Sequence, residues 1–184
     1  SDTGSDTGSD TGSDTGSDTG SDTDTTCSEL LAGVVYDFEG VSCDLMGWTL
    51  GGDWELGADT YPVPYEGSCE IGTVLGADYN DSTTSEALSN TLDLVDCNGS
   101  TVVLAWYGWR RIHPSDTFYV DIYSGGVWNN GVESYGGNSD VWTLYATDVS
   151  SFMTDDFQIR FRLVADGGGN REGPYVDYVY FTLL

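Results

Sequence analysis

From residue 25 onward the chain alternates apolar and polar residues in short runs. Val34-Val35-Tyr36-Asp37-Phe38-Glu39 alternates, as do Trp48-Thr49-Leu50 and Asp53-Trp54-Glu55-Leu56. Residues 101–109 form a long β-branched and aromatic run, the expected central strand. Residues 117–123, 141–145, 157–163 and 175–181 continue the period of two, with Gly125-Gly126 as a turn and Gly167-Gly168-Gly169-Asn170 as a loop. Helical periodicity is confined to one turn near residues 148–152. Many short strands at turn-punctuated spacing predict an all-β fold: an antiparallel jelly-roll β-sandwich over 27–184.

Residues 1–26 are different. Five copies of Ser-Asp-Thr-Gly are followed by Ser-Asp-Thr-Asp. By composition this is a polar, low-complexity spacer. Its period says more. In an extended chain side chains alternate faces, so a four-residue repeat places Ser and Thr on one edge and Asp, alternating with Gly, on the other. Ser1, Thr3, Ser5, Thr7, Ser9, Thr11, Ser13, Thr15, Ser17, Thr19, Ser21 and Thr23 then form one hydroxyl row. The carboxylates opposite recur about every 13 Å at ~3.3 Å per residue. The hydroxyl row is the expected O-glycan array, and the tail an assembly or decoration track ordered by neighbours, cations or sugars. Asn80-Asp81-Ser82 and Asn98-Gly99-Ser100 are N-glycosylation sequons. Each has an acid two residues earlier (Asp78 and Asp96), which resembles the extended bacterial acceptor pattern.

Charge narrows the partners. The 184 residues carry 31 acids, five arginines and no lysine, for a net charge of −26. Seven of those acids lie in the tail, leaving 24 against the five arginines in the domain. Phosphate backbones need clustered Lys and Arg, so nucleic acid is excluded as a partner; anionic lipid is equally unfavourable. Calcium suits so many carboxylates. No apolar run reaches the roughly 18 residues of a membrane span. The chain begins inside a repeat, so a leader is expected to have been removed or to lie outside this numbering. Cys27, Cys43, Cys69 and Cys97 are even in number, widely spaced and free of any C-x-x-C pair, which predicts two disulfides and an extracellular location.

Asp37-Phe38-Glu39, Cys43, Gly47-Trp48-Thr49 and Asp53-Trp54 together resemble the opening of MAM domains and their bacterial secreted relatives. Phe157-Gln158-Ile159-Arg160-Phe161, a glycine-rich loop, then Gly173-Pro174-Tyr175-Val176-Asp177-Tyr178-Val179 is similar to the closing strand pair of that family. The resemblance covers roughly residues 34–182. It implies a jelly roll used in extracellular adhesion and assembly, without catalysis. Tyr178 stands where the family has a second Asp, and Tyr36 where it has its first cysteine. The family pairing implies Cys27–Cys43, leaving Cys69–Cys97. The displacement of Cys27 keeps all three connectivities open.

The resemblance also implies a structural calcium where the first and last strands meet a loop acid. Asp37 and Glu39, two apart on one strand, share a face; Asp177 is on the last strand; Asp78 is the loop candidate. Solvated surface acids, or an Asp177 bonded to backbone amides, are the plainer alternative. No EF-hand loop or calcium β-roll repeat is present. His113 has no Ser or Cys nucleophile arranged with it, and G-x-S-x-G is absent, so no enzyme is expected. Arg110, Arg111, Arg160 and Arg162 are expected ion-pair partners of the domain's own acids or a neighbour's.

Two function classes follow. The first is a glycosylated, non-enzymatic extracellular subunit that assembles with copies of itself head to tail into a helical filament. Leu30-Leu31-Ala32-Gly33-Val34-Val35 would then add a strand to a neighbour's sheet. The second is a calcium-dependent carbohydrate-binding or adhesion module on a flexible stalk, with Trp106, Tyr107, Trp109 and Trp128 as its sugar platform.

Overall fold

Thr26 and Glu29 form a reciprocal capping box that starts a short helix, α1 (Cys27–Ala32). The computed structural model describes residues 26–184; the repeat tail and its hydroxyl row lie outside the described residues. Helix α1 is a correction to the expectation of strand throughout. Leu31 is buried beneath it, and Val35–Tyr36 (β1) pairs with the last strand. The 30–35 segment is therefore used inside the domain and is not free to complete a neighbour's sheet.

The remaining strands are β2 (Thr49–Gly51), β3 (Trp54–Gly57), β4 (Glu70–Thr73), β5 (Thr84–Leu88), β6 (Val102–Arg111), β7 (Thr117–Ser124), β8 (Val127–Tyr135), β9 (Asn138–Asp148), β10 (Gln158–Val164) and β11 (Gly173–Leu183). They make two antiparallel sheets. One runs β3-β4-β11-β6-β9, with β1 added beside β11; the other runs β2-β5-β10-β7-β8. This is the predicted jelly-roll sandwich. The run at 101–109 lies inside its sheet as β6, between β11 and β9. Gly125 and Gly126, at φ of 60° and 81°, make the tight β7–β8 turn that both positive angles require.

Alternation fills the core from both sheets. Leu104, Trp106, Val176, Val179 and Phe181 meet Val120, Ile122, Ile159, Phe161 and Leu163. Trp48 stacks on Phe161 at 5.4 Å. Burying each such side chain contributes about 1.5–3 kcal/mol.

All four cysteines are in disulfides, paired Cys27–Cys97 and Cys43–Cys69. The pairing implied by the MAM resemblance is not the one formed. Helix α1 carries Cys27 away from the 40s loop and against the 3₁₀ turn Val95–Cys97, which leaves Cys43 to reach Cys69.

A second correction concerns the first strand, which ends at Tyr36. Phe38 is buried in the core at φ 56°, so the backbone turns between Asp37 and Glu39. The two acids do not share a strand face.

Candidate functional site

Strands β7 and β10 carry the most distinctive surface. Their inward residues build the core, so Tyr119, Asp121 and Tyr123 face outward beside Gln158, Arg160 and Arg162. The register sets Arg160 opposite Asp121, Arg162 opposite Tyr119 and Gln158 opposite Tyr123; Trp128 on β8 pairs with Tyr123. Asp121 is fully enclosed there. It accepts from Arg160 Nε at 2.9 Å, from Arg162 Nε at 2.6 Å and Nη2 at 3.0 Å, and from the Gly131 amide at 2.6 Å. Burial by itself would raise its carboxyl, but Arg162, the Gly131 amide and Arg160 outweigh that and hold it below the ordinary carboxylate range.

The two arginines are fixed in turn. Arg160 also pairs with Glu86 at 3.0 Å and reaches Asn130 at 2.6 Å. Its guanidinium lies 4.2 Å from the Trp128 ring centre, and that of Arg162 lies 4.5 Å from the Tyr119 ring centre. Tyr123 packs beside Trp128 at 5.2 Å. The face thus presents three half-buried aromatic rings around a rigid polar centre. Aromatic bodies with a few fixed polar groups suit ring-shaped ligands that have an apolar face and hydroxyl edges.

Of the four aromatics expected as the platform, Trp128 alone belongs to this face. Trp106 is in the core. Tyr107 and Trp109 point outward from the other sheet but are covered, Tyr107 by a stacked Tyr65 at 3.5 Å and Trp109 by Tyr61 at 5.6 Å. Sequence reasoning misses Tyr119 and Tyr123 as platform residues. The Tyr-x-Asp-x-Tyr and Arg-x-Arg alternation of two predicted strands is the signal that could have found them.

The acidic site lies on the other side of the sandwich, under loop 58–69. One step beyond the paired Val176 and Ile71, Asp177 of β11 and Glu70 of β4 come side by side, both fully buried. Asp177 accepts from the Glu66 amide at 3.0 Å and the Tyr178 amide at 2.7 Å. Glu39 Oε1 accepts from the Ser68 and Cys69 amides, each at 2.7 Å. A side chain on Gly67, at φ 62°, would collide with that carboxylate, so glycine is required there. Both carboxylate oxygens of Glu70 lack a hydrogen-bond partner among the described residues. Burial pushes Glu70 up to about 8; the nearby Asp59 backbone amide pulls the other way, and the charges of Asp177 and Asp59 add to the rise. Burial likewise pushes Asp177 up to about 7, with Glu39 adding.

Of the expected calcium ligands, Glu39 and Asp177 each accept from amides of the turn 66–69, and Glu70, which sequence reasoning misses, lies beside Asp177; the ligand atoms of the three do not come within 4.8 Å of one another. Asp37 bonds its own loop through the Glu39 amide at 3.1 Å. Asp78 is exposed beside Tyr61 and Glu172, in a different opening. Glu39, Glu70 and Asp177 are all carboxylates, the donor type a hard divalent cation takes, and burial raises Glu70 and Asp177 above the ordinary carboxylate range. A tighter group exists elsewhere among the described residues. Ligand atoms of His113, Asp116 and Asp166 lie within 4.8 Å of one another. There Asp116 already accepts from Tyr79 Oη and the Asp166 amide, and His113 Nδ1 contacts Ser115 Oγ.

Arg111 bridges Asp140 and Glu172, as expected of the arginines; Arg110 instead contacts the Gly136 carbonyl and Tyr145. The two sequons differ. Asn80 Nδ2 donates to buried Asp53 at 2.6 Å. Asn98 is exposed in the turn that follows Cys97, and its side chain makes no hydrogen bond among the described residues. No helix among the described residues is long and apolar enough to cross a membrane.

No protein-family model matches the chain, and no curated protein does. Solved structures do. The CBM22-1 xylan-binding domain of Paenibacillus barcinonensis Xyn10C aligns with a TM-score of 0.54 at 13% identity, over 82% of this chain and 92% of that one. Another CBM22 xylan-binding domain gives 0.52 at 17%, over 82% and 93%. TmCBM61, solved with β-1,4-galactotriose, gives 0.52 at 10%, over 77% and 91%. The chain has the jelly-roll fold of these carbohydrate-binding modules. At such identities the likeness is one of fold. The jelly roll implied by the MAM resemblance is present, and these three solved structures that share it are carbohydrate-binding modules.

Proposed function

We propose that the domain is a non-catalytic carbohydrate-binding module, with the open face of the five-stranded sheet as its site. The observation that carries this is the trio Tyr119, Tyr123 and Trp128 held around the Arg160–Asp121–Arg162 centre. Tyr119 to Tyr123 spans about 13 Å of strand at ~3.3 Å per residue, which suits a short stretch of oligosaccharide better than one ring. Arg160 lies over Trp128 and Arg162 over Tyr119, so a sugar would stack on the parts of these rings that the guanidiniums leave uncovered and on Tyr123. Glu86, Asn130 and Gln158 offer hydroxyl partners at the edges. The fold shared with a xylan-binding domain and with a module solved in complex with β-1,4-galactotriose supports the ligand class, and two disulfides support an oxidising, extracellular setting.

Calcium belongs to this reading as a structural fastener. Glu39, Glu70 and Asp177 would hold it and supply its oxygens, fixing turn 66–69 to the sheet. The glycosylated tail then serves as a stalk. The filament reading loses its donor strand to α1 and β1, and its remaining support lies in the tail.

Titration calorimetry with xylohexaose and β-1,4-galactotriose tests the main claim. Saturable binding is expected to at least one, weakened about tenfold (1.4 kcal/mol) by Trp128→Ala and by Tyr123→Ala. Binding that neither substitution changes removes the face from the site. No binding to these or to a wider glycan array, by folded protein with calcium present, overturns the function.

A further inference from the structure

Across the sandwich from that face, loop 58–69 and the start of β9 enclose a cleft of about 210 Å³. Tyr61, Val63, Trp109, Val141 and Trp142 form its apolar walls, and Asp140 stands at its rim. Large apolar side chains are unusually exposed here: Tyr61 at 51%, Val63 at 63% and Val141 at 67%.

The walls are held in place from several sides. Trp142 Nε1 donates to the Val63 carbonyl at 2.8 Å, tying β9 to the loop. Asp59 accepts from the Thr60 and Tyr61 amides within the loop, from the Gly76 amide at 2.6 Å, and from Tyr175 Oη beneath it at 3.0 Å. Tyr61 meets Trp109 edge to face, and Tyr65 packs against both Tyr107 and Trp142. A wall built this way needs little ordering when a ligand arrives.

The rim is polar. Arg111 bonds Asp140 at 2.6 Å and Glu172 at 2.7 Å, and reaches Tyr61 Oη at 3.2 Å. Its guanidinium lies over the Tyr61 and Trp109 rings at 5.1 and 5.3 Å. That position decides among ligands. A cationic ligand would meet a guanidinium already on the rings. A purely apolar ligand would strip water from the Arg111–Asp140 pair and return nothing for it. A ring with one C–H face and hydroxyls at its edge satisfies both parts, packing on Val63, Val141 and Trp142, which the guanidinium leaves uncovered, and bonding the pair.

We propose that this cleft is a second carbohydrate site, which takes a single terminal pyranose. It rests on the same ligand class as the open face but not on that face binding anything. With sites on opposite sides, one module would join two glycan chains and gain avidity on a dense glycan surface.

The test uses the intact protein with calcium and two probes, methyl β-xylopyranoside and methyl β-galactopyranoside. The indole N–H of Trp142 reports the cleft, assigned by its loss in Trp142→Phe; that of Trp128 reports the open face. A saturable shift of the Trp142 signal is expected, with a Kd of about 1 mM. Tyr61→Ala, an exposed position that leaves the core intact, is expected to weaken it at least fivefold. Tyr123→Ala is expected to leave it unchanged. The proposal is overturned if the Trp142 signal fails to saturate with either probe, if Tyr61→Ala has no effect, or if cyclohexanol shifts it equally well. Oligosaccharide binding lost by Trp128→Ala with the Trp142 titration intact separates the two sites. A Trp142 titration with no oligosaccharide binding sinks the open face alone.

Discussion

Asp121 and Glu70 are both fully enclosed carboxylates on sheet faces, one on each side of the sandwich, and their surroundings treat them oppositely. Asp121 sits between two guanidiniums and a backbone amide, and its carboxyl is held low. Glu70 sits beside Asp177 and near Asp59, with no partner on either oxygen among the described residues, and is pushed up to about 8. The five arginines are all engaged elsewhere: with Gly136 and Tyr145, with Asp140 and Glu172, twice with Asp121, and with Asn138. In so acidic a chain cations are scarce, and the fold places two on one sheet face. The lesson is that burial alone does not define an acid's role. Asp121 is a charge centre completed by the chain's own arginines, whereas Glu70 and Asp177 are buried without a cation of the chain beside them, which is where the proposed calcium would act.

The largest predicted effect breaks the two apart. Asp121→Ala leaves Arg160 and Arg162 half-buried against each other, and is expected to cost about 3 kcal/mol in urea unfolding. Glu70→Gln at pH 8 in chelator is expected to be neutral or stabilising, because it removes a charge that lacks a partner. Adding calcium should stabilise the wild type, by about 2.7 kcal/mol at a hundredfold excess over Kd, and leave Glu70→Gln unmoved. Equal losses from both substitutions in chelator would erase the distinction.

A smaller effect sharpens the contrast along the pH axis. Asp121 has a depressed folded value, so its contribution is present above the ordinary carboxylate pKa of about 4 and is lost as pH falls through the folded value. Glu70 and Asp177 are raised to about 8 and about 7, so theirs is full at acid pH and lost as pH rises through those values. Thermal unfolding in chelator should therefore weaken on both sides of mildly acidic pH. Asp121→Asn should flatten the acid limb and Glu70→Gln the alkaline limb. The calcium-induced shift in Tm should be larger at pH 8 than at pH 6, where protons compete with the metal. A shift that is the same at both pH values places the metal away from these acids.

Much of this architecture is legible in the alternation along the chain, and the site is less so. Strands β6, β7, β10 and β11 announce themselves because a period of two with aromatic and β-branched residues has few other outcomes. Strand β8 is rich in Asn, Gly and Ser and carries no such signal. Helix α1 spans six residues and is announced only by the Thr26–Glu29 spacing, which the alternating run after it obscures. The turn at Phe38 removes the strand face expected for Asp37 and Glu39, but Asp177 is legible as an acid of the last strand. Glu70 is not, because its burial depends on β4 docking beside β11. The Asp121 centre needs the β7–β10 register, which no local pattern supplies.

The smallest effect concerns another buried acid, Asp53, which is satisfied by neutral donors alone. It accepts from the Asn80 amide at 2.8 Å and from Asn80 Nδ2 at 2.6 Å, with Ser85 Oγ receiving its own backbone N–H at 3.0 Å. The same Nδ2 is the atom an N-glycan would occupy, so modification at Asn80 and satisfaction of Asp53 compete. Asn98, exposed beyond Cys97, has no such engagement. Mass spectrometry of native material is expected to find N-glycan at Asn98 and not at Asn80. Asn98→Gln should remove that mass and change stability by no more than about 0.5 kcal/mol. Asn80→Ala should leave the glycan mass unchanged and cost about 1 kcal/mol, since Asp53 loses a charge-assisted bond. That loss should stay well below the cost of Asp121→Ala, because neutral donors solvate a buried carboxylate less strongly than two guanidiniums do. Glycan on Asn80 would show instead that the Asn80–Asp53 bond opens readily, and that an acid held by neutral donors behaves more like Glu70 than like Asp121.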